Sequence, residues 1–304
     1  MLSETPDMKV LLLGKNGQVG WELQRSLATL GEVIALDRQV VDGLCGDLAD
    51  VQALRATIQR IAPDIIVNAA AYTAVDKAES DTDLALQINA TAVQVLAEEA
   101  QKLGSWLVHF STDYVFDGTG ALAWREDDPV SPVNHYGFTK LMGEKAIVES
   151  GCNYLIFRTS WVYGARGNNF TKTMLRLAVD RNELNVIADQ IGAPTGADLI
   201  ADVSAVALRR ALVSPEVSGI YHLAADGFTS WHEYASLVID YGKATGIPMQ
   251  VQTVNPISTS QFPTPARRPL NSRLNTEKLR KTFSIHLPDW RSGVTRMLKE
   301  VLEK

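Results

Sequence analysis

Lys9-Val-Leu-Leu-Leu13 runs directly into Gly14-Lys-Asn-Gly-Gln-Val-Gly20 and then into a helical pattern reaching about Leu30. No other stretch restricts the fold as much. A continuous apolar run predicts a strand covered on both faces. The glycines at Gly14, Gly17 and Gly20 sit where the chain must turn tightly from strand to helix. The free N–H groups of that helix start suit a diphosphate, as in a dinucleotide-binding turn. A turn kept glycine-rich for packing alone is the plainer alternative. Glu32-Val-Ile-Ala-Leu36 predicts a second strand, closed by Asp37 twenty residues beyond Gly17, the place of a ribose-binding carboxylate.

The same rhythm continues. A helix near 50–61 stops before Pro63, and Asp64-Ile-Ile-Val-Asn68 reads as a third strand. Residues 81–103 carry helical spacing up to Gly104, Ser105-Trp-Leu-Val-His-Phe110 a fourth strand and Tyr154-Leu-Ile-Phe157 a fifth. Strand–helix repetition of this kind predicts right-handed crossovers and an α/β fold with a Rossmann-type doubly wound parallel sheet. After about residue 165 the rhythm changes to helices near 170–180, 198–213, 230–244 and 289–303, separated by irregular stretches. The longest, Asn255 to Arg273, holds Pro256, Pro263, Pro265 and Pro269 and reads as a functional cover or a linker. We therefore expect a leader at 1–7, a dinucleotide-binding domain at 8–165 and a smaller substrate-binding cap at 166–304, with some segments returning to the sheet.

Two signals bear on the cofactor. Asp37 favours a free ribose, hence NADH, whereas Arg38 and Lys15 could neutralise a 2′-phosphate. The expectation is NADPH use with NADH tolerated. The second constellation is Tyr136-Gly-Phe-Thr-Lys140, whose Tyr and Lys share one helical face. An ammonium about 4 Å from the phenol favours the phenolate by roughly 4 kcal/mol. That is enough to bring a tyrosine from about 10 toward neutrality, where it becomes a competent general acid. Such a pair alone is commonly an exposed helical contact. Ser111-Thr112-Asp113 at the end of the fourth strand gives it specificity.

Composition excludes several classes. Twenty-nine basic against thirty-five acidic residues give a net charge of −6, which argues against a nucleic-acid or anionic-membrane partner. No apolar run is long enough for a membrane span. Cys45 and Cys152 form no scaffold and no metal-binding spacing, so a reducing, cytoplasmic setting is expected. His109, His135, His222, His232 and His286 show no ligand spacing and read as structural. Trp21, Trp106, Trp231 and Trp290 read as packing residues.

Taken together, GxxGxxG, Asn68-Ala-Ala-Ala71, Ser111-Thr112 and Tyr136/Lys140 resemble the extended short-chain dehydrogenase/reductase superfamily over nearly the whole chain. Longer blocks narrow the resemblance: Asp64 to Glu79, Ser111-Thr-Asp-Tyr-Val-Phe-Asp-Gly118, Phe157-Arg-Thr-Ser-Trp-Val-Tyr163 and Pro263-Thr-Pro-Ala-Arg-Arg-Pro269. These look like the dTDP-4-dehydrorhamnose reductase family. The resemblance implies hydride transfer from NADPH to the C4 ketone of a nucleotide-linked sugar. Tyr136 would give the proton, Lys140 would tune it and hold the nicotinamide ribose, and Thr112 would bind the reacting oxygen. Gly17-Gln18-Val19, Asp47-Leu48 and Ala69-Ala70-Ala71 would line the cofactor, and Asp113 and Trp161 the sugar nucleotide. Related sugar-nucleotide dehydratases carry Glu after Thr-Asp, where this chain has Tyr114, so ketone reduction fits better than elimination of water. Other readings are a reductase of another nucleotide-4-ketosugar and a catalytically silent NADP-binding regulatory subunit.

Arg267, Arg268 and Arg273 concentrate charge in the proline-rich stretch, and Arg268 is the first choice for the substrate diphosphate. Pairing with surface carboxylates is the alternative. In some relatives, acids matching Glu22, Asp198 and Glu300 bind Mg2+ between two subunits. Asp198 is shorter than the usual Glu, so no metal is assigned, although a homodimer is compatible with the chain.

Overall fold

The computed structural model describes residues 8–303; the expected leader at 1–7 lies outside the described residues. The first half builds β1 (Lys9–Leu13), α1 (Gln18–Leu27), β2 (Glu32–Leu36), α2 (Val51–Ile61), β3 (Ile65–Asn68), α3 (Ala92–Leu103), β4 (Trp106–Thr112), α4 (His135–Ser150) and β5 (Asn153–Thr159). Then follow α5 (Phe170–Asp180), β6 (Glu183–Ile187), α6 (Ala197–Ala211), β7 (Gly219–His222), α7 (Trp231–Ala244), β8 (Thr253–Ile257), α8 (Glu277–Phe283) and α9 (Trp290–Leu302). The main sheet has the order β2-β1-β3-β4-β5-β7, and every pairing in it is parallel.

The period of two along each strand sends alternate side chains to opposite faces. Val10, Leu12, Val67, Val108, Leu155 and Phe157 meet α1 and α6. Leu11, Leu13, Ile66, Leu107 and Ile156 meet α2 and α3. A separate apolar cluster joins α5, α7 and α9 through Met174, Tyr234, Trp290 and Leu298. No described helix is long and apolar enough to cross a membrane.

Two elements differ from the sequence expectation. The helix expected over 81–103 is interrupted by a π-turn at Gln87–Thr91. There Asn89 accepts the Tyr72 N–H at 2.9 Å and donates to Thr139 Oγ1 at 3.0 Å. A Cβ on Gly143 would lie 2.3 Å from the Asn89 carbonyl, so α4 and the π-turn touch backbone to backbone. The stretch from Asn255 is partly strand, because β8 pairs in parallel with β6. Pro256 is tolerated there since this two-stranded sheet leaves β8 an edge. The segments from beyond residue 165 that join the main sheet are β7 and a covering helix, α6.

Candidate active site

The parallel pairing brings the carboxyl ends of β1, β3 and β4 side by side at one edge of the sheet, the place where open α/β sheets bind ligands. Gly14 has φ +88°, and a Cβ there would meet the Ala70 nitrogen at 2.8 Å. A Cβ on Gly20 would lie 2.0 Å from the Gly14 carbonyl. The glycine loop is thus pressed against the Ala69–Ala71 segment, a cradle that any side chain would fill. Gly17 caps α1 without a side-chain bond, leaving the helix's first N–H groups free. These features fit a dinucleotide diphosphate. Gln18 faces the second half of the chain, its Oε1 accepting from Asn169 at 3.0 Å. Val19 packs partly buried against the sheet.

At the next strand end Asp37 accepts from Asn16 and, at 2.8 Å, from the Gln39 N–H. Lys15 lies 4.0 Å from the same carboxylate, while Arg38 is exposed beside it. Asp47 caps the following turn by accepting from the Ala49 N–H, and Leu48 is buried. Both cofactor signals read from the sequence are therefore present at one strand end.

Helix α4 is started by Asn134, whose Oδ1 accepts from the Gly137 N–H at 2.8 Å. That cap sets Tyr136, Lys140 and Glu144 one turn apart along one face. Thr112 ends β4, accepts the Tyr114 N–H at 3.2 Å and donates to Asp113 Oδ1 at 3.1 Å. The second Asp113 oxygen is buried without a partner. Burial pushes this carboxyl up to about 7, against the pull of bonds from Ser272 and Thr112. Tyr114 stacks edge-on against Tyr136 at 5.9 Å.

One expectation needs correcting. In this structure Lys140 does not draw the Tyr136 phenol toward neutrality. Burial and the Asp113 charge push that phenol up, and a bond with Thr112 only partly offsets them. The Lys140 amine is turned instead to His109 Nε2, at 3.0 Å. Burial brings Lys140 down to about 8, although Glu144 nearby opposes the shift. His109 is thus no isolated packing residue. The sequence did hold a signal: a polar ring inside an apolar strand covered on both faces must find a partner. His135, adjacent to Tyr136, contacts Thr82 and Glu79 instead.

The proline-rich stretch packs on the start of α4 and on the segment that follows β3. The Arg267 carbonyl accepts from Asn134 Nδ2 at 2.8 Å, tying it to the start of α4. Arg268 pairs with Asp76 at 2.8 Å, and its charge acts on the Tyr114 phenol. Arg273 bonds Asn271 and is farther along the same segment. Trp161 adopts φ 50°, uncommon for a bulky residue. Its ring lies flat on Trp231, centroids 3.6 Å apart, and against Gly192, where a Cβ would stand 2.7 Å from it. Trp231 packs in the aromatic cluster beside α5 and α7, and its indole N–H donates to Gln190 at 3.1 Å. Spacing could not have paired residues so distant in the chain.

Glu22, Asp198 and Glu300 lie close enough for the two others to raise the Glu22 carboxyl, after burial. Arg296 pairs with Asp198, and Arg25 approaches Glu22 at 3.9 Å. With cationic charge already supplied by side chains, this donor set does not fit a magnesium ion. Among the described residues no three His, Cys, Asp or Glu side chains converge as a metal site.

Residues 8–303 match the model of a family described as RmlD substrate binding domain. The dTDP-4-dehydrorhamnose reductase of Escherichia coli K12 is 56% identical over 294 residues, 97% of this chain and 98% of the relative. That of Salmonella typhimurium is likewise 56% identical, with the same coverage. Among solved structures, the Bacillus anthracis dTDP-4-dehydrorhamnose reductase in complex with NADP superposes with a TM-score of 0.85. It shares 36% identity and covers 97% of this chain and 99% of its own.

Proposed function

Since the chain belongs to the dTDP-4-dehydrorhamnose reductase family, we propose that it reduces the C4 ketone of dTDP-4-dehydro-L-rhamnose to dTDP-L-rhamnose with NADPH. The observation that carries this reading is the bond between the Tyr136 phenol and Thr112 at the carboxyl end of β4, with Lys140 one turn farther along α4. When bound, NADPH supplies the hydride. The protein's residues supply position and a proton.

Tyr136 keeps its proton in the resting site, because burial and Asp113 hold the phenol protonated. It can therefore donate O–H to the oxygen that develops negative charge at C4. Thr112 Oγ1 stands beside it to bond the same oxygen, exchanging its contact with Asp113. Asp113 offers its free, buried oxygen to a sugar hydroxyl. Lys140 holds the nicotinamide ribose, and Trp161 covers the sugar nucleotide. Tyr114 fits reduction and not elimination, since burial keeps its phenol protonated and unable to act as a base.

For the cofactor, Asp37 bonds the adenosine ribose and Lys15 and Arg38 tolerate a 2′-phosphate, so both NADPH and NADH are accepted, NADPH preferentially. Asp37→Ala is expected to change the ratio of kcat/KM values for the two about tenfold, the worth of one charge-assisted hydrogen bond. An unchanged ratio removes Asp37 from this role. Arg268 exchanges Asp76 for the substrate diphosphate. Arg268→Gln should raise KM for the nucleotide sugar about tenfold or more with kcat little altered; an unchanged KM leaves Arg268 as Asp76's partner only. The two halves act from the division proposed above, with cofactor contacts from 8–165 and sugar contacts mainly from 166–304.

The activity is tested by NADPH oxidation with dTDP-4-dehydrorhamnose and with its UDP analogue. Turnover with the first and little with the second is expected. The reverse preference would assign another nucleotide-4-ketosugar, and silence with both would favour a binding subunit.

A further inference from the structure

The buried chain Asn68–His109–Lys140 has a direction that its geometry dictates. The Ala70 N–H donates to Asn68 Oδ1 at 3.1 Å, which fixes the orientation of that amide. Asn68 Nδ2 therefore points its N–H at His109 Nδ1, 3.2 Å away. A ring whose Nδ1 accepts carries its proton on Nε2 when neutral. That Nε2–H faces the Lys140 amine at 3.0 Å. A neutral amine accepts such a bond, whereas an ammonium has three donors and no acceptor. All three residues are almost wholly buried, so water does not relieve a mismatch.

Counting protons makes the conflict plain. With Lys140 as an amine, every contact pairs a donor with an acceptor. With Lys140 as an ammonium, His109 must move its proton to Nδ1, and then faces the Asn68 N–H donor to donor. Turning the amide over only transfers the mismatch to Ala70. We propose that Asn68 and His109 are positioning residues which, by this fixed polarity, disfavour the charged form of Lys140 and make it a ready proton donor beside Tyr136.

Burial by itself lowers the affinity of Lys140 and of His109 for a proton, and the fixed polarity acts in the same direction. The charged groups near the lysine do not oppose its proton. Glu144, on the same helix, favours the ammonium and is itself held by Arg158 of β5. Tyr136, one turn back, is neutral, and the Asp113 charge beyond it acts on that phenol. The chain also connects Lys140 to the backbone of Ala70 in the cofactor cradle. A lysine that releases its proton readily can return one to Tyr136 after the phenol has given its own away: an N–H bond breaks, an O–H bond forms, and the amine is left accepting from His109.

The proposal rests on the assignment of Lys140 to the reaction, and the experiment separates the two. In the enzyme labelled with 15N-histidine, the ring correlations of His109 report its tautomer. We expect Nε2–H at alkaline pH, converting as the pH falls through the titration of Lys140; Nδ1–H throughout would overturn the proposal. Asn68→Asp replaces the opposing donor by an acceptor, which lets His109 keep its proton on Nδ1 and accept from an ammonium. Its alkaline limb in kcat/KM should move up by about 1 pH unit, the equivalent of one buried hydrogen bond. A lowered kcat with an unmoved limb would mean a packing role only and sink the idea. Lys140→Met with full turnover would instead dismiss the lysine's place in the reaction while leaving the tautomer result interpretable.

Discussion

Tyr136→Phe is expected to lower turnover about 100- to 10,000-fold, the usual contribution of a positioned general acid, while NADPH binds as before. The ring is retained, so its edge contact with Tyr114 survives. The Asn134 cap that starts α4 uses the Gly137 N–H and is untouched. What disappears is one O–H group beside Thr112. Steady-state NADPH oxidation and fluorescence titration of NADPH measure the two halves of this expectation. Turnover near that of the unaltered protein would refute the role of Tyr136, and a parallel loss of cofactor binding would make it a structural residue.

The second large effect concerns stability. Arg158 of β5 and Glu144 of α4 are both almost fully buried, paired through three contacts at 3.0, 3.3 and 2.7 Å. The guanidinium also donates to the Glu126 carbonyl and lies 5.1 Å over the Phe116 ring. Removing one member leaves the other charge buried and alone, which costs about 3–5 kcal/mol. Arg158→Met should thus lower Tm by roughly 10 °C. The double substitution with Glu144→Leu should recover much of that loss, since an apolar pair needs no charge partner. If the double variant is as unstable as the sum of the singles, the two side chains are not coupled and the argument from an unpaired buried charge fails.

The parts of the fold that could be read in the sequence are those whose signals are local. The strands β1 to β5 are short apolar runs ended by polar or glycine residues, and their helices stop at Pro63 or Gly104 as expected. Gly219-Ile-Tyr-His222 carries no such pattern, because only one neighbour and one half-covered edge define β7. The π-turn at 87–91 depends on a close approach by Gly143 from a helix far along the chain. Likewise Tyr136 and Lys140 announce themselves by spacing, whereas His109 becomes informative only when β4 sets it against α4. The packing expected of Trp231 is present, but its partner Trp161 is distant in sequence and joined to it solely by folding.

The late arrival of β7 bears on how the protein is made. A nascent chain emerging from the ribosome can lay down β1 to β5, but β5 keeps an open edge until Gly219–His222 follows. The sheet face formed by Val10, Val67 and Phe157 also waits for α6 to cover it. During that interval an unpaired edge and an apolar surface coexist, the combination that recruits chaperones or drives aggregation. A first half cut free at residue 165 would hold that state permanently. The second half of the chain is therefore also a maturation factor, supplied in cis, for the sheet that the first half begins.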